Sequence, residues 1–69
     1  MLQEDITLER KFKPGDKVRH RTGNMYEVIS YAHHSETKEE VVVYKSLADD
    51  LVWVRPKGMF EDGRFWICP

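Results

Sequence analysis

The sequence predicts an all-β domain, most simply a small SH3-like barrel of about five short strands with one helical turn. The main observation is the stretch 25–47, where two runs rich in β-branched and aromatic residues flank a polar centre, as in a long hairpin. Two further short apolar runs, 51–55 and 64–67, are bounded by proline and glycine turn residues. An SH3-like barrel is favoured over an OB-like one because no segment offers a helix between strands.

The remaining elements follow in chain order. We expect a tail over residues 1–13 and a single domain over 14–69, which begins at the Pro14-Gly15-Asp16 turn. Residues 17–21 contain one apolar residue, Val18, and predict an edge strand protected by charge. Gly23-Asn24 predicts a tight turn into the long hairpin, and Asp62-Gly63 predicts another before the last strand. Pro56 ends the strand 51–55, and residues 56–60 suit the helical turn.

The hairpin register predicts which face is buried. With the turn at Glu36-Thr37, Ala32 lies opposite Val41 and Ser30 opposite Val43. The expected core face carries Ile29, Tyr31, Val42 and Tyr44, joined through a three-residue loop by Val52 and Val54. The opposite face carries Tyr26, Val28, Ser30, Ala32, Val41, Val43 and Lys45, joined by Trp53 and Arg55.

That second face mixes aromatic and cationic side chains, as a recognition surface does, because flat rings stack on planar groups and arginine or lysine supplies charge. One bulge would exchange the faces and turn Tyr26, Val28 and Trp53 into core residues, so this alternative stays open. The candidate ligand-binding residues are Tyr26, His34, Glu36, Lys45, Trp53 and Arg55.

The histidines of the hairpin turn do not predict a metal site. His33 and His34 point to opposite faces of a strand and so cannot both bind one metal. His34 and Glu36 could share a face, but we expect no third and fourth ligand beside them. A turn in which Ser35 and Thr37 bond the local backbone explains this segment as well. With no metal set, no cofactor motif and no nucleophile–base pair, we expect a non-enzymatic binding or interaction module.

Charge suggests a second function. Residues 10–21 carry six basic residues and one acidic residue, whereas the whole chain has a net charge of −1. Such a segment either neutralises the acidic body or binds an anionic partner such as nucleic acid. The alternative function is therefore a nucleic-acid-binding module that uses Lys11, Lys13, Lys17, Arg19 and Arg21 with Trp53 as a stacking ring.

Cysteine content and hydropathy limit the location and the partners. Cys68 is the single cysteine, and neither a signal-peptide pattern nor an apolar run of about 18 residues is present, so we expect a cytoplasmic protein that does not enter membranes. The partner is an unidentified protein or small ligand, and the chain is a monomer or a weak homodimer. The aromatic residues between Phe60 and Ile67 are expected to cap one face of the hairpin.

Two segments of the chain are distinctive together, His34-Ser35-Glu36-Thr37 and Trp53-Val54-Arg55-Pro56. They occur with His20, Gly23-Asn24, Tyr26-Glu27-Val28, Ala32-His33, Val42-Val43-Tyr44 and Met59-Phe60. On these residues, over roughly 16–62, the chain resembles the family of small bacterial domains of unknown function numbered sixteen fifty-three. The resemblance implies a compact β domain and no particular activity.

Overall fold

A computed structural model describes residues 10–68 of the chain. They form one five-stranded antiparallel sheet in the order β4-β3-β2-β1-β5, with a helical turn between β4 and β5. The all-β class, the five strands and the single helical turn are confirmed. The elements are β1 (Lys17–His20), β2 (Met25–His33), β3 (Glu40–Ser46), β4 (Val52–Pro56), α1 (Lys57–Phe60) and β5 (Phe65–Ile67).

The prediction of an edge strand over 17–21 is wrong, because β1 lies inside the sheet. It pairs with β2 on one side and with β5 on the other. Its single apolar residue, Val18, lies opposite both Tyr26 and Ile67 and is completely buried. The edges of the sheet are β4 and β5 instead, so the charges of β1 do not protect an edge.

A β-bulge at Ile29 exchanges the two faces of β2. Ser30 and Ala32 lie opposite Val43 and Val41 as expected, but beyond the bulge Val28 lies opposite Tyr44 rather than Lys45. An extra residue in one strand inverts the alternation that follows it. Val28 is therefore buried on the core face, and Ile29, which was expected in the core, is exposed. The alternative left open by the sequence, that a bulge moves Tyr26 and Val28 to the core face, is correct for these two residues.

The side chains of β4 also point to the opposite faces from those predicted. Trp53 lies opposite Tyr44 and Arg55 opposite Val42, so these two side chains share the core face. Val52 and Val54, expected in the core, lie on the outer face and are 59% and 61% exposed. The cause is the connection after β3, where the Ser46 amide donates to the Leu51 carbonyl at 2.8 Å and so sets a register one residue away from the expected one.

The core is a cluster of rings and valines on the inner face of the sheet, covered by α1. Phe60 is fully buried and stacks on Phe65, with 4.1 Å between ring centroids. The Tyr44 ring lies 4.9 Å from the Phe60 ring, and Phe12 meets Phe60 edge-on at 5.3 Å. The buried core residues of this cluster are Phe12, Val18, Val28, Val42, Tyr44, Phe60 and Phe65.

Residues 10–13, which the sequence assigns to the tail, pack against the sheet. The rest of that predicted tail lies outside the described residues. The division between tail and domain at residue 13 stays a prediction. The Tyr31 hydroxyl donates to Glu61 Oε2 and accepts from the Phe12 amide. The Lys11 amide donates to the same carboxylate oxygen at 2.9 Å, and Lys57 Nζ lies 3.0 Å from Oε1. We call Lys11, Tyr31, Lys57 and Glu61 the Glu61 cluster.

Within 10–68, no helix has the length and apolar character needed to cross a membrane.

Candidate ligand-binding surface

Arg55 is the centre of the candidate surface. Its side chain leaves β4 on the core face, where Nε donates to the Tyr44 hydroxyl at 3.3 Å. The guanidinium carbon lies 5.5 Å from the centroid of the Phe65 ring. Arg55 is half-buried, and within residues 10–68 no carboxylate comes within ion-pair distance of it. A guanidinium stays charged, so this cation rests on aromatic rings with its Nη donors unused by any acidic group.

Four rings lie on the same face of the sheet as the Arg55 guanidinium. Trp53 is two residues away on the same face of β4 and is 50% exposed. Tyr26 is half-buried and meets Tyr44 and Phe65 edge-on, with centroid separations of 5.2 and 5.8 Å. Tyr44 and Phe65 are thus the buried floor, and Trp53 and Tyr26 are the parts that solvent can reach. We call Tyr26, Trp53 and Arg55 with this floor the Arg55 surface.

His20 lies at the other side of the floor, and its ring is surrounded by positive charge. Its ring meets Phe65 at 4.7 Å, and its Nδ1 accepts from the Thr22 amide at 3.2 Å. Burial lowers the pKa of His20, and the positive charges of Arg55, Arg21 and Arg64 lower it further. Three arginines therefore act on one ring, which is the electrostatic environment that an anion would stabilise.

The structure brings together three of the six candidate ligand-binding residues. Tyr26, Trp53 and Arg55 share the core face, as described above. Lys45 lies on the opposite face, between Glu27 of β2 and Val52 of β4, because its neighbours Tyr44 and Ser46 point inward.

His34 and Glu36 lie apart from these three, in the turn after β2. The Nδ1 atom of His34 accepts from the amides of Glu36 and Thr37 at 3.1 and 3.4 Å, and the Glu39 amide donates to the Thr37 hydroxyl. The His34 amide donates to the Glu39 carbonyl at 2.8 Å, which closes the loop. These bonds shape the turn, and they use one of the two ring nitrogens of His34.

The basic segment is divided between different parts of the surface. Lys17 and Arg19 alternate with buried Val18 and so lie on the outer face of the sheet, away from Trp53. Lys13 pairs with Asp16 at 3.4 Å, and the Lys11 ammonium lies 5.6 Å from the Phe12 ring. The five basic residues therefore do not join Trp53 in one surface. On the outer face, Trp66 of β5 lies directly opposite Arg19.

His20 and Phe65 belong to the surface although the sequence analysis did not select them as site residues. The available signal for His20 was its spacing of two from Val18, the single apolar residue of its strand, which puts both on one face. For Phe65 there was only the expectation that the C-terminal aromatics cap the hairpin. Within the described part of the chain, no group of three or more histidine, cysteine or acidic side chains could hold a metal ion.

The sheet, the helical turn and the Arg55 surface define a small all-β domain with a cationic, aromatic patch on its core face. The model of a family described as a protein of unknown function, DUF1653, matches residues 16–63. Because this match covers more than half of the sequence, the chain belongs to that family. Both segments that suggested the resemblance, 34–37 and 53–56, lie inside the matched residues. No curated protein and no solved structure gives a significant match.

Proposed function

We propose that the chain is a non-enzymatic binding module that binds an anionic ligand with a planar part at the Arg55 surface. The observation that carries the proposal is the position of Arg55, which is half-buried on Phe65 and lacks an acidic partner among residues 10–68. A partly desolvated cation without a counter-charge is costly, and a carboxylate or phosphate on its Nη atoms would offset that cost.

The neighbouring rings indicate the rest of the ligand. Trp53 is half-exposed, and Tyr26 packs against the same floor as Arg55. A planar group that stacks on Trp53 would place an attached anionic group near the guanidinium, since the two side chains are two residues apart on one face. The proposal includes a cytoplasmic location, which a single unpaired cysteine favours.

The test uses probes that join a flat ring to an anion, namely AMP for a phosphate and benzoate for a carboxylate. In an NMR titration of the full chain, we expect shifts at the amides and side chains of Tyr26, Trp53 and Arg55. Arg55→Gln should weaken binding at least about tenfold, because a hydrogen bond to a charged group contributes about 1.5–3 kcal/mol. Lys45→Gln, which removes a cation from the opposite face, is the matched control and should change the affinity less than about twofold.

Two results would refute the proposal: no localised shifts with either probe at millimolar concentration, or equal affinities for the Arg55→Gln variant and the parent chain. If AMP binds and benzoate does not, the anionic group is a phosphate. If only benzoate binds, the group is a carboxylate, and nucleotides are excluded as ligands.

A second candidate function, nucleic-acid binding, has support from the outer face. Arg19 lies opposite Trp66, which is 47% exposed, and Lys17 is two residues from Arg19 on the same face. Such a ring beside two cations could stack a base and neutralise phosphates. Lys17 and Arg19 also form no ion pair within residues 10–68.

Fluorescence anisotropy with labelled single-stranded RNA and DNA at low salt tests this candidate. If it is correct, affinity falls steeply as salt is added, and both Arg19→Gln and Trp66→Ala weaken binding. Lys13→Gln, which removes a cation already paired with Asp16, serves as the control. The absence of binding at tens of micromolar protein would eliminate it, since nonspecific phosphate contacts alone would be visible there.

A further inference from the structure

The edge strand β4 carries an unusual run of exposed apolar residues. Leu51, Val52, Trp53 and Val54 are each at least half exposed, at 53%, 59%, 50% and 61%. Sheet edges in proteins that stay apart usually carry charges, a bulge or a proline in the middle of the strand. Here the one proline of β4 is its last residue, Pro56, and the only charge is Arg55. Among residues 10–68 no strand pairs with the outer side of β4, so this edge is open to pairing with another strand.

The backbone shows which groups of β4 are available. The Ser46 amide donates to the Leu51 carbonyl, and Tyr44 lies opposite Trp53, so Trp53 and Arg55 direct their backbone groups to β3. Val52 and Val54 consequently direct their N–H and C=O groups away from the sheet. Pro56 falls in the same outward phase, where its missing N–H costs the β3–β4 ladder nothing.

We propose that β4 pairs antiparallel with β4 of a second copy about a two-fold axis at Trp53. In this register Val52 of one copy lies opposite Val54 of the other, and the outward backbone groups of the two valines bond each other on both sides of the axis. Trp53 then faces Trp53 of the second copy, and the exposed valines of both copies form one apolar strip on the outer face. The two sheets become one continuous sheet.

Charge complementarity favours a second copy over an unrelated strand. The same register places Arg55, near the end of β4, beside the turn of the second copy that carries Asp49 and Asp50. Two such pairings occur, one on each side of the axis. A strand that lacked acidic residues at this position would leave the charge of Arg55 unmatched.

Cysteine cross-linking tests the register directly. In a Cys68→Ser background, Trp53→Cys should form a disulfide-linked dimer under mild oxidation, because a central non-hydrogen-bonded pair has Cα atoms about 4.5 Å apart. Ile29→Cys, an exposed position on β2, is the matched control and should stay unlinked. Equal linking of both variants, or none at position 53, would overturn the proposal.

Sedimentation velocity tests the association itself, with the full chain at concentrations up to about 1 mM. We expect a dimer fraction that rises with concentration. The dimer dissociation constant should be at least about tenfold higher for Val54→Lys, which puts a charge at the joined edge. Val54→Pro should act likewise, since it removes an outward N–H without touching the β3–β4 ladder. Met59→Lys, another exposed apolar residue, should associate as the parent does.

A parent chain that stays monomeric over this range would overturn the proposal, whether the edge is free or is covered by residues 1–9. An edge variant that dimerises as well as the parent, with its circular dichroism unchanged, would overturn it too. Arg55→Gln removes the charge that faces Asp49 and Asp50 of the second copy but leaves the backbone pairing of Val52 and Val54 intact. Loss of ligand binding in this variant is therefore distinguishable from loss of the dimer, which Val54→Lys and Val54→Pro test.

Discussion

Replacing Glu61 by glutamine removes a single charge from the contact that fastens residues 10–13 and α1 to the sheet. One carboxylate oxygen accepts from the Tyr31 hydroxyl and the Lys11 amide, and the other lies by Lys57. Glutamine keeps the shape and one acceptor oxygen. The substitution therefore isolates the effect of the charge from that of packing.

The size of the effect follows from these contacts. A hydrogen bond to a charged group contributes about 1.5–3 kcal/mol and a neutral one about 0.5–1.5, so two such bonds lose about 2 kcal/mol together. The Lys57 ion pair adds at most about 0.5 kcal/mol. For a chain of this length the whole free energy of unfolding is about 3–10 kcal/mol. At pH 7, Glu61→Gln should therefore lower it by about 2 kcal/mol.

The pH dependence gives the sharper test. Burial alone would raise the pKa of Glu61, but the bonds from Tyr31, Lys11 and Lys57 outweigh burial, and the pKa lies below the ordinary value of 4.5. A carboxyl with a lowered pKa in the folded state stabilises fully above its unfolded pKa and loses this effect as pH falls through its folded pKa. The difference between the parent and Glu61→Gln should thus shrink below pH 4.5.

Urea denaturation followed by tryptophan fluorescence, at pH 7 and at several acidic pH values, measures both quantities. Asp62→Asn is the control. Among residues 10–68, Asp62 forms an ion pair only with Arg64, at the surface, and the loss of its charge should cost less than about 0.5 kcal/mol. If the penalty of Glu61→Gln were the same at every pH, its charge would not be what stabilises the fold, and this reasoning would fail.

Two further predictions concern the core. Val42→Ala should lower the free energy of unfolding by about 1–3 kcal/mol, because Val42 is completely buried. Lys45→Ala should change it by less than about 0.5 kcal/mol. Urea midpoints in the reverse order would contradict the assignment of the inner face. Truncation after Asp62 should greatly lower the melting temperature or cause aggregation, because it removes Phe65, whose ring stacks on Phe60; an unchanged melting temperature in a monomeric chain would show that β5 is dispensable.

The strands and turns of this domain could be predicted from the sequence because local chemistry specifies them. Pro14-Gly15, Gly23 and Gly63 fall in turns, and all three glycines have positive φ, which other residues rarely adopt. The pairing of β5 with β1 could not be predicted, since no local signal tells a returning strand which neighbour to join. That one pairing moved the charged strand β1 from the edge to the interior of the sheet.

The connection between β3 and β4 explains why only some of the predicted ligand-binding residues lie together. Its loop is closed by Ser46 and Leu51, and Asp50 adopts φ 63° while its amide donates to the Ser46 carbonyl. Aspartate tolerates this conformation better than most residues, but nothing in the sequence requires it there. The loop therefore contains one residue more than the expected Ala48–Asp50, and each side chain of β4 changes face.

Trp53 and Arg55 remain on one face together because residues two apart in a strand share a face, whichever face it is. Lys45 belongs to another strand and lies on the opposite face, since its position relative to Trp53 and Arg55 depends on the register. The bulge at Ile29 acts in the same way on β2 and brings Tyr26 to the side where Trp53 and Arg55 now lie. Spacing within one strand was therefore reliable evidence for the site, whereas any grouping across two strands depended on a bulge or loop that the sequence does not specify.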